Sequence, residues 1–567
     1  MGNIYLFSLI AGLIMAMLIV PFYGLNGSDN QKKGAKKKGA SKTSRIPMIA
    51  FAVLMVILVF AFYYLFNIDR NFTSLWFFIL VSSAVGALFS TGKEQMVKGL
   101  LFIGSLLFGV YLLTAFLFNA GEKYETAKMD QQIEIKTFDE TKTPASVPPQ
   151  FARNKMRKAF GQVPNTSYYE LGSLQIQKVN GEYVYIAPVE FSGFFKWVNG
   201  DTTPGYFTIS ATDSTANPKF IKSEMIYTPS SYFGKNIERH IRMKYPTRIF
   251  YGDVQLEIDE EGKPFYIRSY GDFISARNGF DAKGIVVVDP LSGKTESYPH
   301  GKVPEFIEGA VSPEVVSLQN SYFGNYVHGF WNSVFGKKDV KLPSDEGTEA
   351  NVTPIFDENG TMFYFTDFTS PKEGVDSMLG YSLTNSRTGK ATYYTGNLEE
   401  SYMDSEGALQ IIEKKFIEKK WKGKMPVLYN FYGEASWLTP VLDSNGFLQN
   451  YFIVSAANPE ISVYGTTPND ALRQYKLALQ RGGGTLDGTS KAEEKQVSGT
   501  VVRVYKEKSG DYTAVTFLLD NRKNYIISSE KEPLAIYLKE GDKVNLTYQD
   551  TGEIFLPVVQ IKVEGLN

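Results

Sequence analysis

Cysteine is absent from the 567-residue sequence, and histidine occurs only three times, as His240, His300 and His328. The first absence excludes disulfides, thiolate metal sites, cysteine nucleophiles and thiol redox chemistry. The second leaves too few imidazoles, too far apart, for a histidine-rich metal centre. A strong charge of either sign is also missing: 59 basic and 60 acidic residues give a net charge of -1, so no global field draws the chain to nucleic acid or to an acidic surface. No Gly-x-Ser-x-Gly elbow, phosphate loop or His-Glu-x-x-His element occurs, and Gly482-Gly483-Gly484 lacks the Lys-Ser/Thr that completes a phosphate cradle. These absences lead to the expectation of a chain that is not an enzyme and carries no cofactor or metal.

What the chain does have is long apolar runs, at 4–21, 47–67, 72–90 and 97–118, uncharged but for Lys98 at the start of the last, each near the ~20 residues that cross a bilayer as a helix. The expectation is a multi-pass anchor of about four transmembrane helices. The first run also reads as a signal peptide, but it has no basic segment before it, and a second run follows closely. The third, the least apolar, also reads as a re-entrant hairpin. Aromatic residues at the run ends (Tyr63, Tyr64, Phe66, Trp76, Phe118) suit the interfacial belt.

Orientation follows from the loops. Lys32, Lys33, Lys36, Lys37, Lys38, Lys42 and Arg45 crowd the first, Lys93 and Lys98 lie on the same side, and the opposite loop has only Arg70. Positive-inside bias therefore puts residues 24–46 in the cytoplasm, and the N-terminus and residues 119–567 outside, on the envelope side of the cell membrane. The lysine cluster reads as a topology determinant and, alternatively, as a contact for anionic lipid headgroups or a nucleic acid.

Residues 119–150 are polar, end in Pro-Ala-Ser-Val-Pro-Pro-Gln, and read as a linker. Beyond them, aromatic and β-branched runs alternate with Gly, Asn and Asp turns, the pattern of antiparallel strands, and 41 Phe and 35 Tyr supply the core that disulfides do not. Self-similarity organises this region. Ser231-Tyr232-Phe233-Gly234 recurs as Ser321-Tyr322-Phe323-Gly324, and each copy is expected to open a helix. Asp259-Glu260-Glu261-Gly262 recurs as Asp357-Glu358-Asn359-Gly360 and, more loosely, as Asp443-Ser444-Asn445-Gly446; Asp289 to Gly293 matches Asn385 to Gly389. The expected unit is one helix followed by a meander of three or four antiparallel strands, with Gly where a tight hairpin needs φ > 0. The expected organisation is therefore an anchor at 1–118, the linker, an N-terminal β-rich subdomain at 151–225, α+β repeats at 226–310, 311–400 and 401–480, a second linker at 481–496, and an all-β barrel at 497–567.

On those turn motifs, residues 225–480 resemble PepSY-like and other cystatin-like domains, in which a helix packs on an antiparallel sheet. The resemblance implies binding or inhibition of other envelope proteins. The last five strands resemble an OB-fold barrel, which implies either binding of oligonucleotides or sugars or a plain interaction module, and fold alone does not choose between them.

Acidic residues at the turns (Asp259, Glu260, Glu261, Asp357, Glu358) read as turn formers rather than a carboxylate pair or a calcium site, since no run of alternating oxygen ligands is present. His240 and His328 lack a third ligand partner for zinc. The candidate partner-binding residues are Phe194, Trp197 and Trp331, large aromatics in turn-flanked segments that are hard to bury completely. The function expected is a non-enzymatic binding or scaffold protein of a bacterial or phage-encoded cell envelope. Membrane lipid and an envelope protein or polymer are its partners, homo-oligomers can form, and nucleic acid is disfavoured. The alternatives are a regulator or inhibitor of an envelope peptidase and an accessory subunit of a transport or secretion assembly.

Overall fold

The structure, a computed structural model, describes residues 3–21, 46–133, 147–345, 347–348, 351–357, 359–372, 374–396, 401–482, 494–509, 512–529, 532–549 and 555–565. Lys32, Lys33, Lys36, Lys37, Lys38, Lys42, Arg45 and Glu358, together with 134–146 of the linker expected at 119–150 and 483–493 of the one expected at 481–496, lie outside the described residues.

Four apolar helices come first: α1 (Ile4–Ile19), α2 (Ile46–Leu65), α3 (Trp76–Phe89, entered through a 3-10 turn at Phe72–Leu75) and α4 (Gly92–Phe118). Three segments are long and apolar enough to cross a membrane, Pro47–Leu65, Phe72–Phe89 and Gly92–Phe118. The first expected span is corrected to a 16-residue helix, about 24 Å long at ~1.5 Å per residue and short of the ~30 Å hydrocarbon core. α4 begins five residues before its apolar run. That extra turn carries Glu94, and Lys98 one turn later folds inward, where its amine meets Val20 O (3.1 Å), Ser90 Oγ (3.0 Å) and Glu94 (2.7 Å).

α1 packs on α2 and α3, and α3 on α4, leaving α2 and α4 as the outer members. Small residues allow the approach. A Cβ on Gly12 would stand 2.5 Å from Val56 Cα, one on Gly86 1.9 Å from Leu18 O, and one on Gly109 2.7 Å from the Trp76 ring.

The β-rich region contains four sheets that share a five-strand core with one pairing order; the third sheet has seven strands, since Asp130–Gln132 and Tyr402–Met403 also pair into it. In the first, Glu182–Phe191 takes both Tyr169–Leu171 and Gln175–Val179 on one edge and Thr203–Ser210 on the other, followed by Lys219–Met225. Pro264–Asp272, Met362–Thr369 and Glu434–Leu442 hold the same central place in the second, third and fourth sheets. The helices Pro149–Lys158, Ile237–Lys244, Pro313–Asn325 and Ser405–Lys415 precede the four sheets in turn. The expected meander of three or four strands is thus corrected to five, the first two sharing one edge of the third. The second Ser-Tyr-Phe-Gly copy is also corrected: Ser321 to Gly324 lie in the last turns of Pro313–Asn325 rather than opening a helix, whereas Ser231 to Gly234 precede Ile237–Lys244.

Turn chemistry is identical in the three acid-led hairpins. Oδ1 of Asp259 accepts from the backbone N–H of Glu261 and Lys263, Asp357 from Asn359 and Thr361, and Asp443 from Asn445 and Phe447. Gly262, Gly360 and Gly446 have φ of +80, +77 and +76°, the left-handed conformation glycine adopts without strain. All three hairpins land on the first block: Tyr206 Oη donates to Gly262 O (2.5 Å), Lys178 Nζ to Asn359 O (3.4 Å) and Asn154 Nδ2 to Asn445 O (2.9 Å). The first and fourth blocks therefore touch, although about 290 residues separate Asn154 from Gly446. Shared cores follow. One joins the first and third sheets under Pro149–Lys158 and Pro313–Asn325, another joins the third and fourth around Trp437, and a third joins the first and second around Tyr266.

The linker expected at 119–150 is partly ordered, since Ala120–Thr126 is helical and Asp130–Gln132 adds a parallel strand to Ala391–Tyr394. At the C-terminus Glu494–Ser509, Tyr512–Leu519, Asn524–Ser528, Phe555–Val563 and Lys543–Gln549 close, in that spatial order, into a five-strand barrel around Val515, Phe517 and Tyr525.

Candidate functional site

A cluster of long-range polar contacts lies where the β-rich region meets the loop 66–71 between α2 and α3. Asn236 caps the helix Ile237–Lys244 through Oδ1 to the Arg239 N–H (3.1 Å), and Ile237 and Ile241 bury the opposite face. That register turns Arg239 and Arg242 toward the loop, where their Nε atoms donate to Tyr64 O and Asn67 O, each at 3.1 Å. The chain after the helix continues the grip: Arg70 N donates to Pro246 O (2.7 Å) and Asn71 Nδ2 to Thr247 O (2.9 Å). A second arm comes from the hairpin tip at 276–278. Ala276 and Arg277 both sit at positive φ (47 and 56°), a strained pair of non-glycine residues, and Arg277 reaches Asp69 with two nitrogens (3.0 and 2.7 Å). Asn119, just past α4, donates to Asn278 Oδ1 (3.2 Å).

Between the two arms lies an open cleft of about 520 Å³, walled by Phe66, Phe250, Tyr251 and Phe273, with Arg242 and Arg277 as its cations. Burial depresses Arg242 to about 10 despite Asp69, with Arg268 and Arg70 adding to the fall, so it stays charged at neutral pH. Its guanidinium lies 4.8 Å from the centre of the Phe250 ring. A second cleft of about 540 Å³ lies beside Ser405–Lys415, lined by Asp376, Tyr402, Met403, Gln410, Ile411 and Lys414.

Two carboxylates are sealed between sheets. Glu190 receives Tyr266 Oη (2.7 Å), the Ser230 N–H (3.2 Å) and the Ser230 hydroxyl, and burial still pushes it above the usual carboxylate range. Glu257 accepts from the N–H groups of Glu308 (2.9 Å) and Gly309 (2.7 Å), and burial raises it to about 7. Neither lines the two clefts.

Phe194 and Trp197 sit together on the short helix Phe194–Gly200, with their rings 6.0 Å apart. Trp331 lies elsewhere, on Gly329–Trp331, so the three do not form one site. Asp259 and Asp357 are occupied as turn acceptors. His240 Nε2 meets Gly293 O (2.7 Å), and His328 pairs with Asp339 (2.8 Å). Among the described residues no group of three His, Asp or Glu could hold a metal. Asp69, Arg242, Arg277 and Glu257 escaped the sequence reading. Only the single charged pair Asp69-Arg70 between two apolar runs marked the junction.

No protein-family model matches the sequence, and no curated protein matches it. Among solved structures the chain is similar to one titled "Glycoside hydrolase" (10% identity, 66% of this chain and 94% of that one, TM-score 0.18) and to an alpha-L-arabinofuranosidase from Lactobacillus brevis (10% identity, 70% and 96%, TM-score 0.18). A third is the Trypanosoma rangeli sialidase (10% identity, 70% and 54%, TM-score 0.16). These neighbours are enzymes, and the expectation that the chain is not an enzyme is accordingly withdrawn. TM-scores this low carry no argument for a particular reaction, and none is assigned.

Proposed function

We propose that this chain is a four-span protein of the cell membrane that holds a β-rich array outside the cytoplasm, where it binds or scaffolds proteins or polymers of the envelope. The observation that carries this reading is the grip of Arg239, Arg242, Arg277 and the 246–247 backbone on loop 66–71, which fixes the array to the anchor rather than leaving it on a tether. A rigid mount suits presentation of a surface at a set height. Support for a spanning α1 comes from its ends. Phe7 packs on Tyr63 at the outer end of α2 (4.8 Å between ring centres), and Val20 O receives Lys98 at the inner end of α4, so α1 covers the same depth as its neighbours. The common strand order supports reading 226–310, 311–400 and 401–480 as repeats of one unit, with 151–225 as a fourth. The barrel, resembling an OB-fold, is an appended interaction module.

A cysteine-free chain makes the test direct. A membrane-impermeant maleimide added to intact cells is expected to label Ile417→Cys in the array and to leave Thr91→Cys, between α3 and α4, unlabelled until lysis. The reverse pattern overturns the reading. Photo-crosslinking in cells from Gln410, in the 540 Å³ cleft, is expected to give a discrete adduct that Lys414→Glu abolishes; no adduct removes that cleft as the binding surface.

A further inference from the structure

Two aromatic plates stand at the anchor end of the β-rich region. The first gathers Phe194, Phe195 and Trp197 with Tyr232 and Phe233, neighbouring rings lying 5.0–6.1 Å apart. It is not a core: Phe195 is 77% exposed and Phe233 54%. Its height is set by one guanidinium, since Arg239 donates Nε to Tyr64 O in the last turn of α2 and Nη1 to Phe233 O (3.2 Å). Phe233 also has φ of +51°, a conformation a bulky residue adopts only when its surroundings impose it.

The second plate is Phe330, Trp331 and Phe335. Trp331 stacks on Phe335 (5.9 Å), and they are 61% and 76% exposed. Phe330 packs edge-on against Phe116 in the last turns of α4 (5.1 Å). Since α2 and α4 are the outer members of the helix group, the plates flank it.

Resting on the reading that the apolar helices span, we propose that both plates insert into the outer interface of the same bilayer, so that the protein is seated on lipid at two further places. Trp197, Tyr232 and Trp331 are the amphipathic rings that the headgroup boundary selects, the phenylalanines beside them supply apolar area, and Lys196, Lys235, Lys337 and Lys338 flank these rings in sequence. Continuity with the ends of α2 and α4 selects lipid over a protein partner, because a protein partner would give no reason for both plates to lie level with span ends.

The test uses the full chain in phospholipid vesicles with an environment-sensitive fluorophore on single cysteines. The sites are Phe195→Cys and Phe335→Cys in the plates, and Lys196→Cys and Lys338→Cys beside them with all rings kept. Leu107→Cys on α4 and Ile417→Cys in the fourth block are the lipid and water references. Acyl-chain nitroxides are expected to quench positions 107, 195 and 335 several-fold more than 417, and aqueous iodide the reverse, with 196 and 338 intermediate. Plate sites that behave like 417 while 107 is quenched overturn the proposal and leave the spans standing. Plate sites shielded from both quenchers place a second copy of the chain there, which also overturns it. An unquenched 107 removes the spanning reading itself.

Discussion

Asp69 and Arg277 meet through a two-point ion pair although 208 residues separate them, one in the loop between two apolar helices and the other at a strained hairpin tip. Burial pushes the Asp69 carboxyl up, but the hydrogen bonds from Arg277 and Asn71 outweigh it and hold the group below its ordinary value. Arg277→Ala would strand a carboxylate that is 5% exposed, and the expected loss is about 3 kcal/mol. Because the folded-state value is depressed, the pair's contribution is present above about pH 4 and lost as pH falls through the folded value. A double-mutant cycle with Asp69→Asn, read by unfolding in detergent, is expected to show a coupling above about 1 kcal/mol at pH 7. Additive effects would mean that the arms do not hold each other.

The hairpins separate two costs of replacing glycine. Gly181 has φ of +82° with open space where a Cβ would go, so Gly181→Ala is expected to cost only the backbone strain, about 1 kcal/mol. Gly446 has φ of +76°, and its Cβ would stand 2.0 Å from Asn154 Nδ2, the contact that joins the first and fourth blocks. Gly446→Ala is therefore expected to lower the melting temperature distinctly more than Gly181→Ala. Equal shifts would remove the link between those blocks from the account of stability.

What was legible in the sequence was local. Asp-x-x-Gly hairpins, apolar helices and the five barrel strands each declare themselves within about ten residues, because turn geometry and burial on one face act at that range. The five-strand sheets were undercounted because strands such as Ile249–Phe250 and Leu342–Pro343 are two residues long, too short for any alternation. Ser321 to Gly324 misled because an identical tetrapeptide lies before a helix in one place and within one in the other. Arg277 and Glu257 were invisible because their roles come from partners that only tertiary structure supplies.

The anchor offers a contrast among glycines on similar helices. Gly104 has nothing within 4 Å of a Cβ, so Gly104→Ala is expected to be neutral or to stabilise by up to about 1 kcal/mol through helix propensity. Gly86→Ala drives a methyl group into Leu18 O and is expected to separate α3 from α1. Thermal stability in bilayers or detergent compares them, and a harmless Gly86→Ala would show that α1 does not pack there.

Glu257 gives the β-rich region a pH dependence of known sign. The carboxyl is 2% exposed. Burial is the leading cause of its rise to about 7, and Glu308 adds to it against the two N–H bonds and Arg387. Arg387 also fastens the strand-leaving segment beside it, donating to the carbonyls of Glu305 (2.6 Å) and Ile307 (2.5 Å). A folded-state value above the unfolded one means that the folded protein holds the extra proton. Stability from this group is thus full below about pH 4.5 and lost as pH rises through 7, a difference on the order of 3 kcal/mol. Glu257→Gln is expected to flatten the fall in melting temperature between pH 5 and pH 8, leaving only the part due to Glu190 and other raised carboxyls. An unchanged slope would show that Glu257 is ionised throughout, with its charge met by the N–H groups of Glu308 and Gly309.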